Sequence, residues 1–454
     1  MKRVFTLAVL LTVASALSLA APFVHARDLG MTQWVTPYGV KVLFLRANEI
    51  PMVDLNIDVD AGSRWDPRET AGLAAMTHGL LTKGVLARNG LPALNETQIS
   101  EAFAALAVQR AGSVGLDRAS MSLRMLSDPE VRRRSAQLVA QLLAAPSFDS
   151  EVLDREKKRT SAAIQESLTQ PQSIATKALW TSVFGGHPYG QQASPESIAT
   201  IQRADLEAFH ARHWQPARMR VTVVGAISQP EAQEFVDALF ALFPKTAAQP
   251  SNPVTNTPKP LVPSEPKRQA IAHPATQAHV WLGLQGIARS DPDFFALTVG
   301  NYILGGGGFV SRLTEEIREK RGLSYSVFSA FSPLAQPGPF MISLQTQGAQ
   351  APQALQVVEQ TIAHFLRTGP TDKELKAAKQ NLVGGFALRV DTNRKMLDNL
   401  AQINYYDLPL DYLQQWTSKI SAVTKEDVQR AMARVLRPQA MSVVVVAGPP
   451  GFQP

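Results

Sequence analysis

The sequence predicts an α+β protein with two homologous domains, each an α/β sandwich, joined by a proline-rich linker. Three features lead to this prediction: a segment that occurs twice, a proline-rich stretch between the two copies, and a mixture of strand-like and helix-like patterns in each half. The chain has 454 residues, which is more than one domain usually contains. Its hydrophobic content of 45% is ordinary for a globular protein.

The repeated segment is DLEAFHARHWQPARMRVTVVG at 205–225, which aligns without gaps with DVQRAMARVLRPQAMSVVVVA at 427–447. Each copy has the pattern of an amphipathic helix that ends before a proline and leads into a buried β-branched strand. A shorter similarity, Arg-x-Asp-Pro, starts at Arg64 and again at Arg289. Two similarities at nearly the same separation along the chain indicate a duplicated domain.

These patterns divide the chain into a domain at 27–245, a linker at 246–267 and a second domain at 268–454. The linker segment contains six prolines and little periodicity, so we expect an extended and fairly stiff connection. Residues 52–61 have the pattern of a strand, and residues 194–213 that of a long helix. Strands and helices grouped in this way are typical of an α+β sandwich.

Residues 1–26 have the pattern of a secretory signal peptide. Lys2 and Arg3 precede an apolar stretch, and Val24 and Ala26 place small residues before the expected cleavage site. We therefore expect an exported, periplasmic protein that has no membrane attachment after cleavage. A retained membrane anchor is the alternative, because the apolar stretch approaches the length that spans a bilayer.

Composition excludes several classes of function. The chain has no cysteine, which excludes disulfides and thiolate chemistry. The formal net charge of +7 falls to about +5 without the two cations of residues 1–26, which is weak support for nucleic-acid binding. We therefore expect no nucleic acid among the partners.

Three motifs occur in a fixed order along the chain: AGLAAMTHGLLTKG at 71–84, FGGHPYG at 184–190, and LGGGGFVSRLTEEIREKRGLSYSV at 304–327. Together with the duplicated halves and the linker, this order resembles the pitrilysin/insulinase family of zinc peptidases, the inverzincins. The resemblance covers essentially the whole chain after residue 26. It implies the fold of that family, with inverzincin-type halves.

The first motif resembles the zinc-binding segment of the family but lacks its chemistry. In the family, His-x-x-Glu-His places two zinc ligands on one helix face, and the glutamate activates the zinc-bound water. Aligned on the flanking glycines and lysine, the first histidine falls on Ala75, the glutamate on His78 and the second histidine on Gly79. The third ligand, a glutamate on a later helix, falls on Ala163. The resemblance thus implies a degenerate zinc motif, with no metal and no cofactor in this chain.

The later helix keeps one acidic position of the family at Glu156, which assists without binding metal. A metal site built from His78 and Glu156 is an alternative, but it offers too few ligands for zinc. His187 is predicted to be a turn residue. His210 and His213 lie three residues apart on a helix, but the second copy of the repeat has methionine and valine there, which disfavours a ligand pair.

The third motif retains its characteristic residues. Residues 311–322 have the pattern of a capped helix, acidic at its start and basic at its end, and such a helix by itself indicates a solvated face. In active family members an arginine and a tyrosine at this spacing hydrogen-bond the scissile region of the peptide, and Arg318 and Tyr325 hold those positions here. Such donors stabilise the charge of a tetrahedral intermediate. The glycines at 305–308 are predicted to form a close-packed turn, since no Gly-Lys-Ser/Thr follows as in a phosphate loop.

The resemblance therefore implies a zinc-less subunit of an exported heterodimeric zinc metallopeptidase. The chain would supply Arg318, Tyr325 and part of a peptide-binding chamber to a homologous subunit that carries the zinc, and peptides would add a strand to a sheet edge. Alone it is predicted to be inactive, which leaves open whether it counts as an enzyme. The alternative is a catalytically inert scaffold or assembly subunit of the same fold. A third option, an independent peptidase with a new metal site, has no identifiable ligands.

Overall fold

The computed structural model describes residues 30–246, 249–255 and 266–454. These ranges do not include residues 1–26, which are predicted to be a signal peptide or, in the alternative, a membrane anchor. Much of the predicted linker also lies outside the described residues. Within the described ranges, no helix combines the length and the apolar character needed to cross a membrane.

Strands and helices alternate along both halves of the chain. The strands are β1 (Thr32–Val35), β2 (Lys41–Arg46), β3 (Met52–Val59), β4 (Gly84–Val85), β5 (Leu94–Asn95), β6 (Gln109–Val114), β7 (Ala119–Leu126), β8 (Met219–Gly225), β9 (Arg268–Ile271), β10 (Gln277–Gln285), β11 (Val327–Phe331), β12 (Pro339–Gln347) and β13 (Ser442–Val446). The helices are α1 (Leu73–Leu80), α2 (Glu96–Ala105), α3 (Pro129–Ala144), α4 (Ser150–Ser167), α5 (Pro171–Phe184), α6 (Pro195–Thr200), α7 (Arg203–His213), α8 (Gln229–Leu239), α9 (Phe294–Asn301), α10 (Arg312–Thr314), α11 (Ala351–Thr368), α12 (Asp372–Gly384), α13 (Asn393–Tyr405), α14 (Tyr412–Ala422) and α15 (Lys425–Val435).

Each half contains one mixed sheet, and the two sheets share one topology. The first sheet has the order β1-β2-β8-β3-β7-β6, and the second has the order β9-β13-β10-β12-β11 when it is taken from the corresponding edge. Strands β2, β8, β3, β7 and β6 of the first sheet correspond in order to β9, β13, β10, β12 and β11 of the second. The first of these pairs, β2 with β8 and β9 with β13, is parallel in each sheet, and the remaining pairs are antiparallel. The predicted α+β fold with two homologous sandwich domains is confirmed.

The repeated segment forms the same helix and strand in both halves. Helices α7 and α15 begin at equivalent positions of the repeat, and each leads into a central strand, β8 or β13, whose residues are all buried. The prediction of one long helix at 194–213 is wrong in one respect, because the segment forms two helices, α6 and α7. Ile201 and Gln202 lie between them with non-helical backbone angles, and the carboxylate of Asp205 accepts a hydrogen bond from the backbone N–H of Gln202 at 2.7 Å, so the chain turns there.

The two halves exchange a helix. Helix α5 of the first half packs on β10 and β13 of the second sheet, while α13 of the second half packs on β8 and β3 of the first. Leu179 and Phe184 of α5 lie with Trp281 in one apolar cluster, and Leu397 and Leu400 of α13 lie in another with residues of the first sheet. Because each sheet is covered on one face by the other half, the hydrophobic cores of the two halves depend on each other.

A buried polar cluster around Asp117 also joins the halves. The carboxylate of Asp117 accepts hydrogen bonds from Arg64 at 2.7 Å, from the hydroxyls of Tyr189 at 2.6 Å and Tyr406 at 3.0 Å, and from the backbone N–H of Ala335 at 2.8 Å. Tyr189 comes from the His-Pro-Tyr-Gly motif, and Tyr406 and Ala335 come from the second half. That motif therefore has a clear structural role, which is to place a tyrosine hydroxyl on an aspartate between the domains.

The described part of the predicted linker is packed against the first half. Arg220 donates a hydrogen bond to the carbonyl of Ser251 at 2.7 Å, and Arg64 donates one to the carbonyl of Pro253 at 2.7 Å. Val254 packs against an apolar cluster that includes Tyr405. The segment at 249–255 therefore contributes to the domain interface, which its proline content alone did not indicate.

His213 should make the stability of the protein depend on pH. It is 3% exposed, its ring stacks on Phe209, and burial lowers its pKa from 6.5 to about 4, with Arg218 as a further cause. Between these values the unfolded chain binds the proton more readily, so the contribution of neutral His213 is present above pH 6.5 and is lost as the pH falls towards 4. A displacement of this size corresponds to about 3 kcal/mol.

This prediction can be checked by urea unfolding at pH 7 and pH 4.5. The matched variant is His213→Val, because the second copy of the repeat carries Val435 at this position. We expect the variant to lose about 2–3 kcal/mol less than the unmutated protein between the two pH values. Equal losses in the two proteins would show that His213 titrates normally in the folded state.

Candidate functional site

The positions of the zinc motif lie on helix α1, next to the edge strand β6. Ala75 and Gly79 are exposed and His78 is partly buried. A Cβ atom added at Gly79 would meet open space. His78 and Gly79 face residues 110–112 of β6 across a cleft of about 250 Å³. The helix therefore keeps an open cleft at the place where the family motif would hold its metal.

His78 is held by the sheet. Its Nε2 lies 3.0 Å from the carbonyl oxygen of Ser120, so this nitrogen carries the hydrogen and donates it. A Cβ atom at Gly112 would lie 2.7 Å from the His78 ring, which explains a glycine at that point of β6. Burial lowers the pKa of His78. The side chain is thus a neutral hydrogen-bond donor, and its geometry is that of a packed residue.

Helix α4 carries the other two predicted positions. Ala163 is exposed and has no ligand atom. Glu156 is 5% exposed, and its carboxylate lies 2.6 Å from Arg159, 3.2 Å from Arg155 and 3.7 Å from Lys83. Lys83 follows shortly after the last residue of α1, so Glu156 connects α4 to the chain that leaves α1. These ion pairs give the retained carboxylate a structural role that needs no metal.

The four positions of the zinc motif do not fit a zinc ion. Zinc sites in proteins use three or four nitrogen, sulfur or oxygen ligands, whereas Ala75, Gly79 and Ala163 offer none and His78 is bound to a carbonyl. No group of three or more histidine, aspartate or glutamate residues suited to a metal occurs in the described ranges. His210 and His213 lie against different carbonyl oxygens, those of Leu143 and Asp60.

The purified chain is therefore expected to contain no stoichiometric zinc and to cleave no peptide by itself. The restored variant Ala75→His/His78→Glu/Gly79→His/Ala163→Glu should bind zinc, because the backbone of α1 and α4 already has the required helical form. Elemental analysis after dialysis tests both expectations. One zinc per unmutated chain would show that the alignment of the first motif with the family is wrong.

The structure brings Arg318 and Tyr325 together. The guanidinium carbon of Arg318 lies 4.7 Å from the centre of the Tyr325 ring and 4.6 Å from that of Phe309. The guanidinium is therefore in cation–π contact with two aromatic rings. Tyr325 is 83% exposed. Both side chains are thus available to a molecule that approaches this surface.

The local fold around this pair depends on its glycines and on Ser311. Ser311 is buried and donates a hydrogen bond to the carbonyl of Gly308 at 2.8 Å, which ties the residue before α10 to the glycine run. A Cβ atom at Gly305 would lie 2.5 Å from Ser329 Oγ and one at Gly307 would lie 2.6 Å from the carbonyl oxygen of Tyr302, so these glycines are close-packed, whereas a Cβ atom at Gly308 would meet open space. From α10 the chain continues as a π-helical turn at Glu315–Glu319, which contains Arg318. Wide turns of this kind are frequent at functional sites.

The strand after this helix begins later than its sequence suggests. Strand β11 starts at Val327, so Tyr325 lies in the loop that precedes it. Gly322 has a φ of +61°, which allows the chain to leave the helix sharply and turn back towards Arg318. On the outer face of the helix, Lys320 and Arg321 each pair with Glu316 at 2.6 Å, which agrees with a solvated surface.

Exposed apolar side chains occur on both sides of Arg318 along the chain. Phe309 and Val310 are each 70% exposed, and Phe328 is 45% exposed. Large apolar side chains clustered at the surface usually mark a binding site. Phe309 and Val310 were not predicted from the sequence to be exposed surface residues. The signal that could have revealed them is an aromatic and a β-branched residue directly after a glycine run, where a solvent-facing turn is normally polar.

The comparison with protein families agrees with this geometry. Residues 41–195 match the family model described as Insulinase (Peptidase family M16), and residues 200–382 match the model described as Peptidase M16 inactive domain. The chain belongs to peptidase family M16. The resemblance to the pitrilysin/insulinase family inferred from its motifs is confirmed.

Individual M16 relatives cover most of the chain. The crystal structure of a peptidase M16 inactive domain from Pseudomonas fluorescens is similar with a TM-score of 0.86 and 34% identity, over 94% of this chain and 99% of that one. An uncharacterized zinc protease of Mycobacterium leprae is 27% identical over 84% of each chain. The non-peptidase homolog YmxG of Helicobacter pylori is 24% identical over 87% of this chain and 89% of its own. The names of these relatives thus include both zinc proteases and a non-peptidase.

Proposed function

We propose that this M16 chain is the zinc-less subunit of an exported heterodimeric zinc metallopeptidase. It supplies Arg318 and Tyr325, together with part of the peptide-binding chamber, to a homologous subunit that carries the zinc. The observation that carries the proposal is the contrast between two sites of one chain. The zinc motif retains its helices without ligand atoms, whereas Arg318 and Tyr325 retain both their identity and their contact.

The chemistry of the pair suits peptide cleavage. Arginine stays protonated at any physiological pH, and its guanidinium offers several N–H donors in a fixed plane. The rings of Phe309 and Tyr325 both contact the Arg318 guanidinium, and the hydroxyl of Tyr325 adds a second donor to the same surface. Two donors directed at the carbonyl oxygen of a peptide stabilise the negative charge that develops there during attack by water. The attacking water itself belongs to the partner's zinc.

Two sheet edges are available for the peptide. Among the described residues, strand β6 pairs in its sheet with β7 alone, and five of its six residues are exposed. In the same part of the chain, strand β11 pairs with β12 alone and starts two residues after Tyr325. The free backbone groups of such edges can pair with an extended peptide. Closure of the two subunits around the peptide would then bring Arg318 and Tyr325 to the scissile bond.

An inert scaffold or assembly subunit is the second candidate. The name of the Helicobacter pylori relative, a non-peptidase homolog, supports it. So does the match of residues 200–382 to a domain described as inactive. In that case the exposed side chains of Tyr325 and Phe309 would serve only protein–protein contacts. The two candidates differ in whether cleavage by the assembled pair requires this chain.

Reconstitution tests the proposal. This chain would be mixed with each zinc-motif M16 protein encoded in the same genome, and cleavage of a quenched peptide mixture would be followed. We expect one partner to co-purify with the chain, and its cleavage rate to rise by orders of magnitude when the chain is present. A partner variant that lacks the glutamate of its zinc motif controls for contaminating peptidases. A partner that binds the chain and cleaves equally fast without it would favour the scaffold.

Export is part of the proposal and predicts a defined mature chain. The protein recovered from the periplasm should begin at Arg27, because Val24 and Ala26 satisfy the cleavage preference after the apolar stretch. Intact-mass spectrometry measures this directly. A mass that includes residues 1–26 would instead support the retained membrane anchor.

A further inference from the structure

The second half contains a cavity that the proposed peptidase role does not use. It measures about 560 Å³ and lies between residues 289–296, residues 406–409, which follow α13, and helix α14. Aromatic side chains supply much of its wall, namely those of Phe294, Phe295, Tyr406 and Tyr412. Its volume is within the range of ordinary small-molecule sites, and it lies where α13 returns from the other domain, as ligand sites often do.

The carboxylates of the cavity wall are all neutralised. Four aspartates line it, and each lies within ion-pair distance of a cation: Asp291 of Arg434, Asp293 of Arg430 and Arg434, Asp407 of Lys41 and Arg220, and Asp427 of Arg430. Four cations therefore match four carboxylates. Two further cations of the wall, Arg289 and Lys419, lie within 4 Å of no carboxylate in the described part of the chain. The wall and its ion-pair partners together contain six cations and four carboxylates, an excess of two positive charges.

The guanidinium of Arg289 is fixed by aromatic side chains. Its carbon lies 4.6 Å from the centre of the Phe294 ring and 5.6 Å from that of Tyr412, and one of its terminal nitrogens donates a hydrogen bond to the Tyr412 hydroxyl at 3.4 Å. Its Nε is buried without a hydrogen-bond partner. The ammonium of Lys419 lies 5.4 Å from the Phe295 ring. Both cations are therefore positioned by aromatic faces, which leaves N–H donors free for a ligand.

The other half of the chain shows how the equivalent arginine is normally compensated. Arg64, which corresponds to Arg289 in the repeat, is buried and pairs with Asp60 and Asp117, each at 2.7 Å. The position of Asp60 is Gln285 in the second half, so that one carboxylate is missing beside Arg289. An arginine that keeps its place in the repeat but lacks this acidic partner leaves room for an acid from outside the chain.

We propose that this cavity binds a small organic carboxylate that carries an aromatic or branched apolar group. The carboxylate would pair with Arg289 and Lys419, and the apolar group would lie against Phe294, Phe295 and Tyr412. A free organic acid and the C-terminal carboxylate of a peptide share this chemistry. The site is separate from Arg318 and Tyr325, neither of which lines the cavity, and it does not depend on the proposed peptidase role.

Calorimetric titration of the mature protein with defined probes tests the proposal. 3-Phenylpropanoate and N-acetyl-glycyl-phenylalanine represent the two sources of the carboxylate. 3-Phenylpropan-1-ol has the apolar group without the charge, and acetate has the charge without the apolar group. We expect at least one of the two acids to bind saturably, and the alcohol and acetate to bind at least about tenfold more weakly, which corresponds to about 1.4 kcal/mol or more.

Variants assign the binding to this cavity. Arg289→Met and Lys419→Met should each weaken binding of the acid about tenfold or more, while Arg437→Met, an exposed arginine outside the cavity, should leave it unchanged. If Arg289→Met does not fold, as judged by circular dichroism, Lys419→Met decides the question. The proposal is overturned if neither acid binds, if the alcohol binds as well as the acid, or if folded variants bind as tightly as the unmutated protein.

Discussion

Arg318→Ala and Tyr325→Phe should each reduce peptide cleavage by the assembled pair by about 10²–10³-fold, or roughly 2.7–4 kcal/mol. The loss should lie mainly in kcat, because the donors act on charge that appears only in the transition state. KM should change little. The rates are measured with a quenched peptide and saturating partner, using the subunit that supports cleavage in reconstitution.

The structure supplies matched controls for this experiment. Lys320→Glu changes a charge on the same turn of chain, but Lys320 is exposed and pairs with Glu315 and Glu316 away from Tyr325, so cleavage should be nearly unaffected. Phe309→Ala removes one ring from Arg318 and keeps both donors, so its effect should be smaller than that of Arg318→Ala. All four variants should still co-purify with the partner. If Arg318→Ala and Tyr325→Phe co-purify and cleave at the unmutated rate, the chain is a scaffold.

The parts of the fold that the sequence predicted are those encoded by local pattern. The repeated helix and strand could be found because an amphipathic period, a proline and a β-branched run are properties of neighbouring residues. The exchange of α5 and α13 between the halves could not be found in this way. Each is an ordinary helix whose partner sheet lies across the domain interface, and periodicity shows that a helix is buried without showing which sheet it covers.

The candidate site shows the same limit. Arg318 and Tyr325 could be paired from the sequence because the family resemblance gives an arginine and a tyrosine at this spacing a shared role. The contact of Phe309 with Arg318 depends on the path of the glycine run, which the sequence does not specify. Glu156 was expected to be a bystander, but it pairs with three cations brought together from two segments. Arg155 and Arg159 are neighbours of Glu156 on α4, whereas the pair with Lys83 depends on a tertiary contact between distant residues.

The role of Asp117 between the two halves could not be predicted from the sequence, and removal of its carboxylate should have the largest effect on stability. We expect Asp117→Ala to lower the free energy of unfolding by about 3–5 kcal/mol, which is typical when one partner of a buried ion pair is removed. The side chain of Asp117 is 2% exposed. Without it, the hydroxyls of Tyr189 and Tyr406 and the N–H of Ala335 lose their buried acceptor.

Urea unfolding at pH 7 measures this loss, and two further variants interpret it. Tyr189→Phe removes one donor and leaves the Arg64–Asp117 ion pair at 2.7 Å, so it should cost only about 1–2 kcal/mol. Asp154→Ala, on the exposed face of α4, should cost less than about 0.5 kcal/mol. Because the exchanged helices make the two cores depend on each other, all three variants should unfold in one transition. A loss below about 1 kcal/mol for Asp117→Ala would show that Asp60 alone compensates Arg64, and that the polar contacts between the halves add little to their apolar packing.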